Sequence, residues 1–434
     1  NFKQKYVRTA KFNIERAARQ SVFGKYRNSY IDDPRVKHEV HSTANTHIVY
    51  FENQLLALKE DSRPYAMDQD SLETRGLYDF HGQYSAPTFT AHPKIDPDTG
   101  ELITMGYEAK GDATNDVAYY LFDKNGKKLE ECWIKTPYVG MMHDMAATKN
   151  WIVFVLIPLE TQPVDILQQG SKHFAWAEDK PLTFGLLPRR NPKPEDVLWF
   201  NFRNAFYGHT GNAFEGEDGC IYLDAPLTHH NKVRIKYPSL PGSWSNSYTS
   251  SGQPASSYVR SKLDPNATNF NVEPTELVAL DGEMPKVDER FATKAYSKLF
   301  LCYSPVGGTY NTIAAGDINT GKYTHWSAGE HTSLHEVASL PRSPDAAEGD
   351  SFLVIIANRR DVRLSCILIL DAKDLAIGPI AIIELPFRLR SGIHGSWVPR
   401  SDILHDKGLC EMTGVTTEIR QKFEGKAVQP ALRK

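Results

Sequence analysis

Apolar residues along this chain come in short runs separated by polar turn signals. The runs include His47–Leu58 (broken by an asparagine), Leu102–Tyr107, Asp116–Phe122, Trp151–Ile157, Cys220–Leu223, Phe352–Ala357 and Cys366–Leu370. Between them stand Asp96-Pro-Asp-Thr-Gly100, Lys124-Asn-Gly126, Glu217-Asp-Gly219 and Asp317-Ile-Asn-Thr-Gly321, turn chemistry in which Asp and Asn cap their own backbone and Gly takes the left-handed position. Strands of about five residues between such turns, with little helical periodicity, predict an all-β chain. One stretch departs: over Thr9–Gln20, Phe12, Ile14 and Ala17 line one side of a helix opposite its basic residues. A chain of short hairpins closes most economically as a β-propeller or packs as stacked sandwiches. The D-x-x-T-G turns are common in propeller blades, but no strict repeat of WD40 or kelch length recurs. Tyr237–Glu273 is rich in Ser, Pro, Asn and Gly and reads as a long surface excursion, and Asp406–Lys434 reads as a C-terminal tail. Both decorate one domain spanning residues 1–434.

Composition narrows the function. The 434 residues carry 50 Lys and Arg against 53 Asp and Glu, a net charge of −3. That balance excludes a dedicated nucleic-acid binder, which shows a basic excess. No apolar run approaches the length of a membrane span. The five cysteines, at 132, 220, 302, 366 and 410, form no CxxC pair and read as reduced thiols of a cytoplasmic protein. The single sequon at Asn266 is weak evidence for secretion on its own.

Fifteen histidines are present. His38, His41, His81, His173, His229, His230, His325, His331, His335 and His405 lie in polar, loop-like surroundings where exposure is the default. Four others differ in context: His92 in Thr88-Phe-Thr-Ala-His-Pro-Lys94, His143 in Gly140-Met-Met-His-Asp-Met145, His209 in Gly208-His-Thr-Gly-Asn212, and His394 in Ser391-Gly-Ile-His-Gly-Ser-Trp397. Each ends a strand pattern beside small residues that let backbone crowd around a centre. They are too far apart for a zinc finger or an HExxH helix, but suit ligands delivered from separate blades to one axis. The residues alone leave two readings open, a metal site or four unrelated histidines bonded to backbone carbonyls.

At these residues the sequence resembles the carotenoid cleavage oxygenases, non-haem iron dioxygenases, over nearly its whole length. The matching elements follow in order: Lys5-Tyr-Val-Arg-Thr9, Tyr26-Arg-Asn28, Leu55–Glu60, Thr90-Ala-His-Pro-Lys94, Met142-His-Asp144, His209–Glu215, Gly282-Glu-Met-Pro-Lys286, Glu336 with Leu340-Pro-Arg342, and His394-Gly395. The resemblance implies a seven-bladed β-propeller with a cap of loops and short helices, holding one Fe(II) per chain on its axis through His92, His143, His209 and His394. Four neutral imidazoles would leave two coordination positions for O2 and substrate, unlike the common triad of two histidines and a carboxylate. Ligating imidazoles need their second N–H held, and the matching carboxylates are Glu60, Glu283 and Glu336. The chain departs from the family where Glu283-Met-Pro-Lys286 replaces the usual Glu-Phe-Pro-Arg, in a short Cys302–Gly316 stretch, and at its start, where blade residues expected before Tyr6 are missing. No substrate-lining apolar residues are assigned.

Within the family, Lys59 before Glu60 and Tyr26 in Tyr-Arg-Asn resemble the fungal stilbene-cleaving (resveratrol and lignostilbene) dioxygenases, since carotenoid cleavers carry an apolar residue or tryptophan at the lysine position. An ammonium beside a dication is disfavoured, which suits the lysine to act as base or hydrogen-bond partner. With the tyrosine hydroxyl it would bind the 4-hydroxyl of a phenolic stilbene and favour the phenolate, enriching the alkene in electrons. Without the resemblance, Lys59 reads as a surface lysine at a strand end and Tyr26 as a core aromatic. The expected activity is cleavage of the central double bond of a 4-hydroxystilbene such as resveratrol or piceatannol, with O2 as co-substrate and two aldehydes as products. The alternatives are an apocarotenoid or carotenoid cleaver of the same fold, a zinc hydrolase, and a metal-free propeller scaffold.

Overall fold

A computed structural model describes residues 2–228, 256–305, 309–399 and 402–403. The regular structure of the described residues is almost entirely antiparallel, arranged as six sheets. The first runs from His47 to Leu77 and the second from Lys94 to Lys135, each with four strands. The third spans Gly140 to Phe202 with six, and the fourth Phe206 to Val278 with five. Four-stranded sheets from Gly282 to Ser327 and from Thr332 to Glu384 complete the order.

Local chemistry explains the hairpins. His47–Phe51 pairs with Gln54–Leu58 through Glu52 and Asn53, both at positive φ (52° and 59°), the backbone a two-residue turn requires when it follows strand twist. Asp96 closes its turn by accepting from the Asp98 and Thr99 N–H groups, and Asp317 does the same for Asn319 and Thr320. Inner strands such as Leu102–Tyr107 and Asp116–Phe122 are buried at every position, because both faces of a blade are covered by its neighbours. Outer strands alternate: Lys128–Lys135 buries Cys132 and Ile134 and exposes Glu131 and Lys135.

Apolar cores fill the spaces between successive sheets. Leu58, Phe80, Phe89 and Phe122 join the first to the second, and Met105, Tyr119, Ile152 and Phe154 join the second to the third. Comparable clusters link the third to the fourth, the fourth to the fifth and the fifth to the sixth.

Three expectations need correction. The strand patterns account for six blades where seven were expected, since the third sheet alone absorbs six strands; among the described residues, Ile380, Ile382 and Ile383 of the last strand stay about half exposed. The excursion expected over 237–273 is shorter, because Ser256–Leu263 pairs with Ile221–Thr228 along its whole length; its alternation was hidden because buried serines 256, 257 and 261 stand where aliphatic residues usually signal a strand. The helix covers Ala10–Ala18, capped by Thr9, and buries Ala10 and Ile14 in place of Phe12, which stacks on Tyr6. Residues 237–255 and the 406–434 tail lie outside the described residues. No helix among those described is long and apolar enough to cross a membrane. Cys132, Cys220, Cys302 and Cys366 are buried free thiols; Cys410 lies outside the described residues.

Candidate metal centre

His92, His143, His209 and His394 come from four separate parts of the chain, yet one nitrogen from each falls within 4.8 Å of the others. His92 precedes the short strand Lys94–Ile95, His143 lies between Gly140–Met141 and Met145–Ala147, and His209 lies between Phe206–Tyr207 and Asn212–Glu215. His394 sits in a segment without regular structure, beyond the last strand.

A single buried carboxylate gathers three of these segments. Asp144 accepts from Lys94 Nζ (2.8 Å) and the Met145 N–H (2.7 Å) through one oxygen, and from the Thr210 N–H (2.8 Å) and hydroxyl (2.9 Å) through the other. It thereby ties a residue two past His92 and one past His209 to the neighbour of His143. The His394 segment has no ladder and is pinned group by group. The His394 N–H donates to Thr46 O, the Gly395 N–H to Glu336, and the Ser396 hydroxyl to Ile48 O. The small residues matter at two of the four places. A Cβ on Gly211 would meet the Tyr258 hydroxyl at 1.9 Å and one on Gly140 would meet Ile157 O at 2.9 Å, whereas Gly395 has open space.

Three of the imidazoles are held from behind. His143 Nδ1 is bonded to Glu60 Oε1, His209 Nδ1 to Glu283 at 2.8 Å and His394 Nδ1 to Glu336 at 2.9 Å. Glu60 follows the strand Gln54–Leu58. At both Glu283 and Glu336 the strand register breaks, between Glu283 and Lys286 and between Leu334 and Val337, and such bulges re-aim side chains near sites. Glu60 is held at about 2: burial alone would raise it, but His143, Arg27 and the Tyr107 hydroxyl outweigh that. Glu336 is likewise lowered against its burial, by Lys286 and His394. Burial and the three facing imidazoles push His92 well below its ordinary value, and burial takes His394 down to about 4.

The donor set fits a metal ion. With Nδ1–H given to a carboxylate, the Nε2 atoms of His143, His209 and His394 each carry a lone pair turned inward. His143 Nε2 lies 3.2 Å from His92 Nε2 and 3.1 Å from His209 Nε2, and the lone pairs of His143 and His209 repel unless a cation lies between them. Metal–imidazole bonds of about 2.1 Å at right angles place nitrogens about 3 Å apart. His394 Nε2 is buried and has no hydrogen-bond partner among the described residues. The His143 ring keeps 18% exposure against 7% for His209 and 2% for His394.

Tyr26 and Lys59 meet beside Glu60. Lys59 Nζ lies 4.7 Å from the centre of the Tyr26 ring and donates to Thr43 Oγ1 at 3.1 Å. The Tyr26 hydroxyl donates to Glu60 Oε2 at 2.8 Å, so the two meet through the ring face while the hydroxyl is turned to the carboxylate. Burial and the Glu60 charge hold that hydroxyl well above the usual phenol range. Several neighbours escaped sequence reasoning. His47 lies 5.9 Å from the His92 ring and 5.6 Å from that of His394, but its nitrogens face Ala91 O and Ser396; it opens the strand His47–Phe51 and carries no local signal. His173, expected in solvent, is 2% exposed and bonded to Glu108. Arg27 was legible only as the middle of Tyr-Arg-Asn.

Comparison with known proteins agrees with this geometry. Over 423 residues the chain is 41% identical to resveratrol cleavage oxygenase 1 of Aspergillus fumigatus, covering 93% of this chain and 82% of that protein. It is 42% identical to carotenoid cleavage oxygenase 1 of Neurospora crassa, covering 93% and 78%. The crystal structure of Pseudomonas brassicacearum lignostilbene dioxygenase superposes with a TM-score of 0.83 at 38% identity, covering 91% of this chain and 83% of that one. The profile of the retinal pigment epithelial membrane protein (RPE65) family matches residues 1–399. The chain therefore belongs to that family, the carotenoid cleavage oxygenases, and is a metal-dependent dioxygenase with a β-propeller fold.

Proposed function

We propose that this protein is a non-haem Fe(II) dioxygenase that cleaves the central double bond of 4-hydroxystilbenes such as resveratrol or piceatannol. The alkene and one O2 become two aromatic aldehydes, each carrying one of the two oxygen atoms. The observation that carries the reading is the pairing of Lys59 with Tyr26 beside Glu60, the carboxylate that holds His143 of the four-histidine centre. Bound Fe(II) supplies the activation of O2. His92, His143, His209 and His394 hold it, and Glu60, Glu283 and Glu336 fix the orientation of three rings.

Lys59 and Tyr26 give the pocket a polar end that a phenol satisfies and a polyene does not. An ammonium facing the 4-hydroxyl favours its phenolate, and the negative charge delocalises through the ring to the alkene, the bond that must give electrons to O2. A carotenoid has no such hydroxyl and would gain no hydrogen bond from this end of the pocket.

The test is product analysis by mass spectrometry after resveratrol, its 4′-O-methyl ether and an apocarotenal are each offered to iron-loaded protein in air. Resveratrol is expected to yield two aldehydes, and the ether is expected to survive. Efficient cleavage of the ether, or preference for the apocarotenal, overturns the substrate assignment and leaves the metal centre standing.

A further inference from the structure

The Tyr26–Glu60 pair is held by a residue that no step above uses. Arg27 is buried (4% exposed) and its backbone is left-handed, at φ 52°. Its Nη2 donates to the carbonyl oxygen of Glu60 at 2.7 Å, its Nε to the Tyr26 hydroxyl at 3.3 Å, and its guanidinium carbon lies 4.0 Å from the centre of the Tyr107 ring. Tyr107 in turn donates its hydroxyl to Glu60 Oε2 at 2.5 Å, the oxygen that also takes the Tyr26 proton. The remaining nitrogen, Nη1, is anchored to Glu108 Oε2 at 2.6 Å. Glu108 is itself fixed by His173 Nε2, the Thr161 hydroxyl at 2.7 Å and the Ala113 N–H at 3.0 Å.

Glu108, Asp112 and His173 have the composition of a second metal site. The guanidinium already lies against Glu108, however, and a divalent ion there would face a fixed cation. The cluster serves better as the socket for Arg27. We propose that Arg27 is a positioning residue that locks Tyr26 and Glu60 into one arrangement, so that the phenol-recognising end of the pocket and the carboxylate behind His143 are set together.

The bonding fixes the direction of every proton. Arg27 donates into the Tyr26 oxygen and Tyr26 donates into Glu60, so the tyrosine offers a ligand only a lone pair. A neutral substrate hydroxyl can then donate to Tyr26, whereas a phenolate oxygen can accept only from Lys59. A lysine at position 27 keeps the charge but not the planar fork that reaches Glu60 O, Tyr26 and Glu108 at once.

The substrate side of this inference rests on the stilbene reading; the metal side does not. The experiment compares Arg27→Lys, Tyr26→Phe and the double variant in the metal-loaded protein. One readout is the ratio of the dissociation constants of trans-stilbene and 4-hydroxystilbene under anaerobic conditions, and the other is metal affinity by chelator competition, with Co(II) absorption bands as the report of ligand geometry. Arg27→Lys is expected to lower the discrimination ratio and the metal affinity by about tenfold each, with shifted Co(II) bands, and to add little once Tyr26 is Phe. Non-additivity of this kind marks groups that share one hydrogen-bond network. The same loss in both backgrounds shows a general structural effect and overturns the proposal, as does an unchanged single variant. Should the intact protein fail to distinguish the two stilbenes, the stilbene reading falls and the metal arm alone decides. Should Arg27→Lys not fold, Glu108→Gln releases only the anchor and is expected to act in the same direction more weakly; no change in either readout with that variant is also fatal.

Discussion

A carboxylate behind an imidazole does two things that an amide cannot do together: it selects the tautomer and adds negative charge to the ligand. Glu60, Glu283 and Glu336 occupy that position behind three of the four converging histidines. Replacing any of them with Gln keeps an acceptor but removes the charge, so metal affinity is expected to fall about 10–100-fold without vanishing. Chelator competition measures this, and full affinity in all three variants would show that the carboxylates do not set the rings. His143→Ala or His394→Ala removes a ligand outright and is expected to abolish both metal and activity. Lys59 touches Thr43 and the Tyr26 ring and no metal-facing nitrogen. Lys59→Met should therefore eliminate most stilbene turnover while metal content, read by elemental analysis, stays intact; loss of metal would move the lysine into the metal centre. The four histidines, three glutamates, Tyr26 and Lys59 were named through the family resemblance, each from a short motif in the chain. His47, Tyr107, Glu108 and Asp144 were not, since their roles come from neighbours 40 or more residues away in the chain and no local pattern encodes such a contact.

At the scale of elements, the loops between strands position the ligands, and the room they have is limited. Gly211, two residues after His209, packs its α-carbon against the Tyr258 hydroxyl, whose ring is fully buried and bonded to Tyr296. Gly211→Ala must therefore displace the His209 loop, because Tyr258 has nowhere to go. We expect a loss of about 1–3 kcal/mol in stability, typical of overpacking, together with weaker metal binding. Gly395→Ala, which meets nothing within 4 Å, is the matched control, and equal metal affinity in both variants would refute the argument. Strands such as Leu102–Tyr107 and Asp116–Phe122 could be read to the residue because continuous apolar runs leave no other fate. Ser256–Leu263 could not: its buried serines belong in a sheet only because Ile221–Thr228 offers hydrogen bonds to its backbone.

For the molecule as a whole, sheets must be held to one another as well as packed. Arg189, at the end of the strand Leu182–Pro188, reaches back to the second sheet and donates to Asp96 at 2.6 Å and Glu101 at 2.5 Å, all three buried. Arg189→Met would leave Asp96 to its turn N–H groups and Glu101 to Arg190, and chemical denaturation is expected to show a loss of about 1–3 kcal/mol; a loss within about 0.5 kcal/mol would mean the clamp contributes nothing. The many buried tyrosines predict the alkaline limit of the fold. Burial raises Tyr65 to about 12 and lifts Tyr84, Tyr107, Tyr258 and Tyr296 well above the usual phenol range. Below about pH 10 both folded and unfolded chains keep these protons and stability does not depend on them. Above it the unfolded chain loses protons that the folded chain retains, so it binds fewer, and stability falls as pH rises; Tyr65 has made its full contribution once the pH passes about 12. Thermal midpoints should drop progressively above pH 10, with much of the phenolate absorbance appearing only on unfolding. Complete phenolate titration in still-folded protein would contradict this.

The sequence by itself determined most strands and the turns, because hydrophobic runs and Asx turns are local properties of a chain, and it left the four histidines open between a metal site and unrelated side chains. Only the tertiary structure decided that six sheets are present among the described residues, that one aspartate gathers three of the histidine segments, and that Tyr26 turns its proton to Glu60. Those outcomes depend on which segments meet across the axis, and the energy of such a meeting resides in the pair, not in either sequence.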